Sequence, residues 1–538
     1  MEGPPPPAMT AAGTAQVDAT ARAAAPAYDR ADWASAFRNV GVELEGVELT
    51  AARGTIPPGL VGTLYRNGPG RLERGGHWVH HPFDGDGMIT SLRFADGQAQ
   101  LRNRFVRTEG WLAEEQADRV LYRGVFGTQK PGGVLANAFD LRLKNIANTH
   151  VVRLGEQLLA LWEAAEPHAL DPDSLETRGL SRLEGLLKPG EAFSAHPRFD
   201  PGHHGGPRMV TFGVKTGPSS TIRLLEFASA DQPAAAGRPA VQAGQVLADA
   251  SHRFKGFAFL HDFAITPNWA VFLQNAVAFN PTGFVLGQKG AAQCLSSKPG
   301  EAGQFWLIPR EGGSQAGRQP LQIPAPEGFV FHHLNAFEDG ATGELVVDSI
   351  VYPDFPSIAP GVDFRAVDFD TIPAGQLLRC RLDLAAGTAR SELLEPRTCE
   401  FAMVNPARVG LEARYAWMAV TEAEQGNAPL QAIEKLDLHT GERRLWSAAP
   451  RGFVSEPVMV PRPAATPVGR SAEVGLAEGG EAEVGLAEDS GWVLCLVWNG
   501  ARCASDLVIL DAASLAEVAV LELPLAIPHG LHGSWAQA

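Results

Sequence analysis

Cysteine is scarce: five in 538 residues, Cys294, Cys380, Cys399, Cys495 and Cys503, an odd total with no C-x-x-C pair. A secreted disulfide framework is thereby excluded, and a reducing, cytoplasmic setting is expected. Positive charge is also short. Lys and Arg number 45 against 61 Asp and Glu, a net charge of −16 with no dense basic run. Such a balance disfavours a nucleic-acid partner and offers no polybasic anchor to a membrane. No apolar run reaches the length of a spanning helix, and the N-terminus lacks the basic-then-apolar layout of a secretory signal. A Gly-rich dinucleotide fingerprint is absent as well, so no nicotinamide or flavin nucleotide is expected. Nothing in the chain calls for an obligatory protein partner.

Helical periodicity is equally sparse, and short apolar runs bounded by turn residues take its place. Gln157–Trp162, Trp269–Leu273, Glu344–Asp348 and Trp492–Val497 are examples, punctuated by 58 Gly and 40 Pro. This pattern predicts an all-β protein of many antiparallel strands. Residues 1–30 are Ala/Pro-rich, with Pro4 to Pro7 consecutive, and read as a disordered tail. The remainder, 31–538, divides into seven units of about 72 residues, long but acceptable for propeller blades with inserted loops. One heptapeptide, Ala472–Glu478, recurs at Ala482–Glu488 and reads as a duplicated exposed loop without a catalytic role. Ala230–Gln245, rich in Ala, Pro and Gln, reads as a second insertion.

Against this background four histidine segments stand out: Ser194-Ala195-His196-Pro197, Leu260-His261-Asp262-Phe263, Phe331-His332-His333-Leu334 and Gly530-Leu531-His532-Gly533. Counting from the first histidine of each, they are separated by 65, 71 and 200 residues, close to one, one and three blades. A propeller would bring one histidine per blade to the central axis. Four neutral imidazoles with no anionic ligand among them suit a ferrous ion that must bind oxygen.

These segments, together with Thr63-Leu64-Tyr65-Arg66-Asn67-Gly68-Pro69-Gly70, His81-Pro82-Phe83-Asp84-Gly85-Asp86-Gly87-Met88 and Cys399-Glu400-Phe401, resemble the carotenoid cleavage oxygenase family from about residue 30 to the end. Leu141–Thr149, Gly426–Ile433 and Leu531–Gln537 are most similar to its cyanobacterial, apocarotenoid-cleaving branch. The resemblance implies a seven-bladed β-propeller with a cap of loops and short helices over an axial Fe(2+). It implies His196, His261, His332 and His532 as ligands, with His332 chosen over His333 because relatives keep the first position. It further implies Glu163, Glu400 and Glu456 as carboxylates holding the far N–H of ligating imidazoles, and Thr149 with its methyl near an open coordination position. The activity it implies is O2-dependent cleavage of the 15,15' double bond of all-trans apocarotenals or apocarotenols to retinal and a shorter carbonyl product. One position departs from the family: Ala402 stands where proline is usual, so the backbone after Glu400 is expected to run differently.

Trp162, Phe331 and Phe401 adjoin the proposed chemistry and are expected either to line a substrate tunnel or to fill blade-to-blade core. Phe284, Val285 and Leu286 read as an apolar loop for peripheral contact with membranes, from which carotenoids must be extracted. His77, His80, His81, His203, His204, His439 and His529 are assigned to surface or hydrogen-bonded roles, and Glu338 to a structural role beside Asn335. Two other functions are weighed: cleavage of stilbenoids by the same chemistry, and a non-enzymatic apocarotenoid-binding propeller.

Overall fold

The computed structural model describes residues 28–234, 239–298, 300–358, 361–463 and 486–538. The expected tail up to residue 27 and the first copy of the duplicated heptapeptide lie outside them, as does most of the second copy. Glu488, the last residue of that copy, accepts from the backbone N–H groups of Arg414 and Tyr415.

Seven antiparallel sheets form the blades of a propeller. Blade I comprises Glu45–Leu49, Gln98–Phe105, Asp86–Ala95, Gly62–Arg71 and, innermost, Gly533–Gln537. Blades II to VI follow in chain order, their innermost strands being His150–Leu154, Arg198–Asp200, Ala264–Ile265, Phe329–Glu338 and Cys399–Val404. Blade VII runs inward from Ala51–Gly54 through Glu517–Glu522, Ala504–Asp511 and Gly491–Asn499 to a broken inner edge, Gly452–Val454 and Val458–Pro461. An N-terminal strand thus completes the outside of blade VII while the C-terminal strand completes the inside of blade I, which locks the ring. The blades are unequal in length because loops of different size are inserted between strands, so the even 72-residue division does not hold.

Within a blade, burial falls from middle to rim, and composition follows it. In blade V, Leu345–Tyr352 is apolar and almost wholly buried, while the outer strand Thr388–Glu395 is largely exposed and mostly polar. Between blades, each neighbouring pair shares an apolar cluster. Leu64, Leu92 and Leu101 meet Leu494, Ile509 and Leu521 across the I–VII seam. Val271 and Leu307 meet Val347 and Leu382 between IV and V. Such faces stabilise by about 1.5–3 kcal/mol per fully buried Leu, Ile or Val side chain.

Helix is confined to short pieces among the described residues, and none is long and apolar enough to cross a membrane. Glu109–Ala117 begins at Thr108, whose side chain accepts from the Trp111 N–H, and stops at Asp118 in the left-handed region. Arg30–Ala34 and the segment around Phe364–Ala366 pack as a cap, with Trp33, Phe37, Phe364, Phe453 and Trp498 in one cluster.

Candidate metal centre

Every blade delivers one side chain to the axis. His196 lies just before the inner strand of blade III, His261 just before that of blade IV, and His532 immediately before that of blade I. His332 sits inside the inner strand of blade V, where the pairing register shifts between Val330 and His333. That shift is what lets consecutive histidines part: His333 is turned to Ser349, 2.7 Å from its Oγ. One ring nitrogen from each of His196, His261, His332 and His532 converges, all within 4.8 Å of one another. The three remaining blades supply carboxylates: Glu163 past the second strand of blade II, Glu400 in the inner strand of VI, and Glu456 in the break of the inner edge of VII.

The carboxylates take the outward nitrogens. Nδ1 of His332 lies 2.7 Å from Glu400 Oε2, Nδ1 of His532 lies 2.8 Å from Glu456 Oε1, and Nδ1 of His261 is bonded to Glu163. A carboxylate only accepts, so each pair places the proton on Nδ1 and leaves the Nε2 lone pair facing the centre. Glu400 also accepts from the Tyr352 hydroxyl and, at 2.8 Å, from the Phe401 N–H. Glu456 accepts from Arg66 at 2.6 Å and from the Gly533 N–H at 2.8 Å.

The electrostatics follow from burial and these partners. Burial pushes His196 well below the ordinary imidazole value, and the neighbouring His261 adds to this. Burial likewise lowers His532 to about 4, against the opposing pull of Glu456. For His332 burial is outweighed by Glu400, and the ring titrates above its usual value. Burial raises Glu456, but His532 and Arg66 outweigh it and hold the carboxyl at about 2. The inward nitrogen of His332 is buried and has no hydrogen-bond partner. An orphaned acceptor among four converging imidazoles, three of them held from behind by an anion, fits a divalent cation.

A cavity of about 420 Å³ opens onto the centre. Trp162, Phe331 and Phe401 all border it, as does Thr149, whose hydroxyl donates to Asn148 Oδ1. The Phe401 ring lies 5.4 Å from His532 and 6.0 Å from His332, and Phe331 lies 5.4 Å from His261. Phe401 takes a left-handed backbone, φ +56°, at a register shift between Glu400 and Met403. Glu400 reaches His332 across this irregularity.

Several residues at the site were not singled out by the sequence. Phe259, Tyr352 and Phe355 border the cavity. His81 and His529, assigned to surface or hydrogen-bonded roles, border it too: His81 stacks on Phe126 at 5.0 Å while its Nδ1 accepts from the Phe83 N–H, and His529 packs against Trp33 and Phe37. Neither joins the four converging rings. His150, whose ring lies 5.5 Å from His532, carried no sequence signal beyond its place after Thr149. Glu338 bonds Thr266 and Asn268 of blade IV, a structural tie between blades.

The apolar loop needs correction. Phe284 is buried beneath the Arg123 guanidinium, 4.1 Å from the ring centroid, because its one-turn helix turns that side chain inward. Val285 is half-buried and only Leu286 is exposed. The adjoining segment, tied on by the Phe139 N–H to the Val285 carbonyl, is more open: Leu135, Phe139 and Leu141 are 93, 75 and 57% exposed.

Residues 37–537 match the family described as retinal pigment epithelial membrane protein, RPE65. The apocarotenoid-15,15'-oxygenase of Synechocystis is 44% identical over 95% of this chain and 97% of its own length. Resveratrol cleavage oxygenase 1 of Aspergillus fumigatus is 29% identical over 84% of this chain and 85% of its own. The solved structure of cobalt-substituted Synechocystis ACO superposes with a TM-score of 0.86 at 43% identity, covering 96% of this chain and all of that one. Alike in sequence along nearly its whole length and alike in its seven-bladed fold, the chain belongs to the metal-dependent RPE65/carotenoid oxygenase family.

Proposed function

We propose that this protein is an iron(II)-dependent dioxygenase that cleaves the 15,15' double bond of all-trans apocarotenals and apocarotenols, giving retinal and a shorter carbonyl product. The observation that supports it most is the juxtaposition of a four-imidazole centre with an aromatic cavity whose two bordering carboxylates, Glu163 and Glu400, are both committed to imidazole. The 44% identity to the Synechocystis enzyme supports the choice of substrate and position. Residues 31–538 act as one catalytic unit in this reading, in the cytoplasm.

His196, His261, His332 and His532 would hold the metal. Glu163, Glu400 and Glu456 carry three negative charges and Arg66 one positive, a remainder of two that balances a divalent cation. Iron(II), when bound there, supplies the capacity to bind and activate O2. Splitting a carbon–carbon double bond into two carbonyls consumes one O2, and the alkene supplies the four electrons, so no external reductant enters the balance. The chain's own part is placement and exclusion. Trp162, Phe331 and Phe401 wall a slot for a flat polyene, and their rings exclude water from it. With its hydroxyl bonded to Asn148, Thr149 presents a methyl that occupies space beside the centre without offering a ligand. Leu135, Phe139, Leu141 and Leu286 form the apolar surface that enters the headgroup region to collect substrate, the role first read into Phe284, Val285 and Leu286.

The test is to incubate iron-loaded protein with an all-trans 8'-apocarotenal under air and under argon and identify products by chromatography and mass spectrometry. Oxygen-dependent retinal is the expected result. Iron-loaded, folded protein that releases no product overturns it; resveratrol cleavage would then point to the stilbenoid activity, and oxygen-independent binding alone to a carrier.

A further inference from the structure

Three of the four converging imidazoles are oriented through their own Nδ1 by a carboxylate, and among the described residues none of those carboxylates bonds His196. His196 is anchored through its main chain, its N–H donating to the Ser194 Oγ at 3.0 Å. The Ala195 carbonyl, one residue before it, accepts from Nδ1 of His150 at 2.8 Å. On the other edge of the same ring, His150 Nε2 lies 3.1 Å from the carbonyl of Gly533, one residue after His532. His150 opens the inner strand of blade II, which provides no ligand but stands between blades I and III, which do.

The surroundings make this ring a brace rather than a passing contact. Its backbone carbonyl accepts from Asn67, which also holds the Ala147 carbonyl, both at 2.9 Å. The His532 N–H donates to the Thr149 carbonyl at 3.0 Å, and the Ser534 hydroxyl to the Val151 carbonyl at 2.7 Å. Residues 147–151 are therefore stitched to 532–534, and the His150 side chain extends that stitching by a hydrogen bond to Ala195. Both carbonyls are acceptors, so a neutral ring donates to one at a time, with Ala195 at the shorter distance.

We propose that His150 is a positioning residue that sets the His196 and His532 segments at the spacing a metal requires, acting on the main-chain carbonyls beside these two ligands and not on their rings. The proposal rests on the metal-centre reading above. Groups that orient ligands in this way typically account for about 10–100-fold in metal affinity.

Wild-type protein, His150→Leu, His150→Gln and, as a control, His261→Ala are stripped with chelator and titrated with cobalt(II), following the visible absorption of the bound ion, with circular dichroism as the check on folding. Wild type should bind and His261→Ala should not. His150→Leu, which keeps bulk but no donor, should bind about 10-fold or more weakly, with shifted cobalt bands and an unchanged fold. His150→Gln keeps a donor for Ala195 without the rigid two-sided reach and should fall between. Wild-type affinity and bands in both His150 variants overturn the proposal while leaving the metal centre intact; should His150→Leu not fold, wild-type behaviour of His150→Gln alone is sufficient to overturn it. Failure of the wild type to bind cobalt overturns the metal-centre reading instead.

Discussion

Glu400 accepts three hydrogen bonds, from His332 Nδ1, the Tyr352 hydroxyl and the Phe401 N–H, and two substitutions separate its charge from its geometry. In Glu400→Gln the amide oxygen takes the place of Oε2 and still accepts from His332 and Phe401. The amide N–H₂ then faces Tyr352, whose hydroxyl accepts as readily as it donates. His332 and Phe401 keep their acceptor and Tyr352 turns from donor to acceptor, so the fold should survive and the main loss is that of charge assistance on the His332 bond. That difference is about 1–2 kcal/mol, or about 5- to 30-fold in metal affinity. Glu400→Leu instead orphans all three donors. At about 1–3 kcal/mol each, the penalty is about 3–9 kcal/mol, enough to destabilise a fold that is marginal to begin with. Cobalt or iron titration reads the first variant and urea denaturation of the metal-free protein reads the second. Wild-type metal affinity in Glu400→Gln, or a wild-type unfolding midpoint in Glu400→Leu, would refute the reasoning.

Arg66 is buried against Glu456, so Arg66→Leu leaves a buried carboxylate uncompensated and should lose about 3–5 kcal/mol of stability, read as a lower urea midpoint. The midpoint would have to stay put for this account to fail. Glu434 is buried in blade VI, where burial and then the nearby Glu395 push its carboxyl well above the ordinary 4.5. Between the two values the unfolded chain has released a proton that the folded one keeps, so stability falls as pH rises. Glu434→Gln should remove that loss, its melting-temperature gain over wild type growing from about pH 5 to about pH 8; a constant difference counts against the pairing. Replacing Leu135 and Phe139 by Asp should reduce co-sedimentation with phospholipid vesicles and leave turnover of detergent-dispersed substrate unchanged; undiminished sedimentation would discard the membrane surface.

What the sequence made legible was what short-range pattern and motif can record. Alternating strands with Gly and Pro between them announced an all-β ring, and His196, His261, His332 and His532 each sat in a short local signature. Glu163, Glu400 and Glu456 were readable through the resemblance to the family, which each carries in a short motif. Phe259, Phe355 and His150 were not, because nothing in their neighbours says which loop will fold over the axis; their roles arise from contacts distant in sequence, such as Phe259 to Phe355 and His150 to Gly533. Phe284 was misread for a related reason. Three apolar residues in a loop look alike in sequence, and the Arg123 guanidinium, 161 positions away, covers Phe284.

The ring is closed by the pairing of Gly533–Gln537 with Gly62–Arg71, and His532 is the residue immediately before that closing strand. Closure of the propeller and completion of the centre are therefore one event in time. Until the last strand docks, three imidazoles from blades III, IV and V face an open side, and the fourth corner, with Glu456 and Arg66 behind it, does not exist. A partly folded chain has no complete cage in which to mount a reactive ion, and a folded one cannot part at its seam without releasing a ligand. Chelation and seam opening should accordingly report on each other: a loaded centre works as the clasp of the ring, and the ring as the gate on the metal.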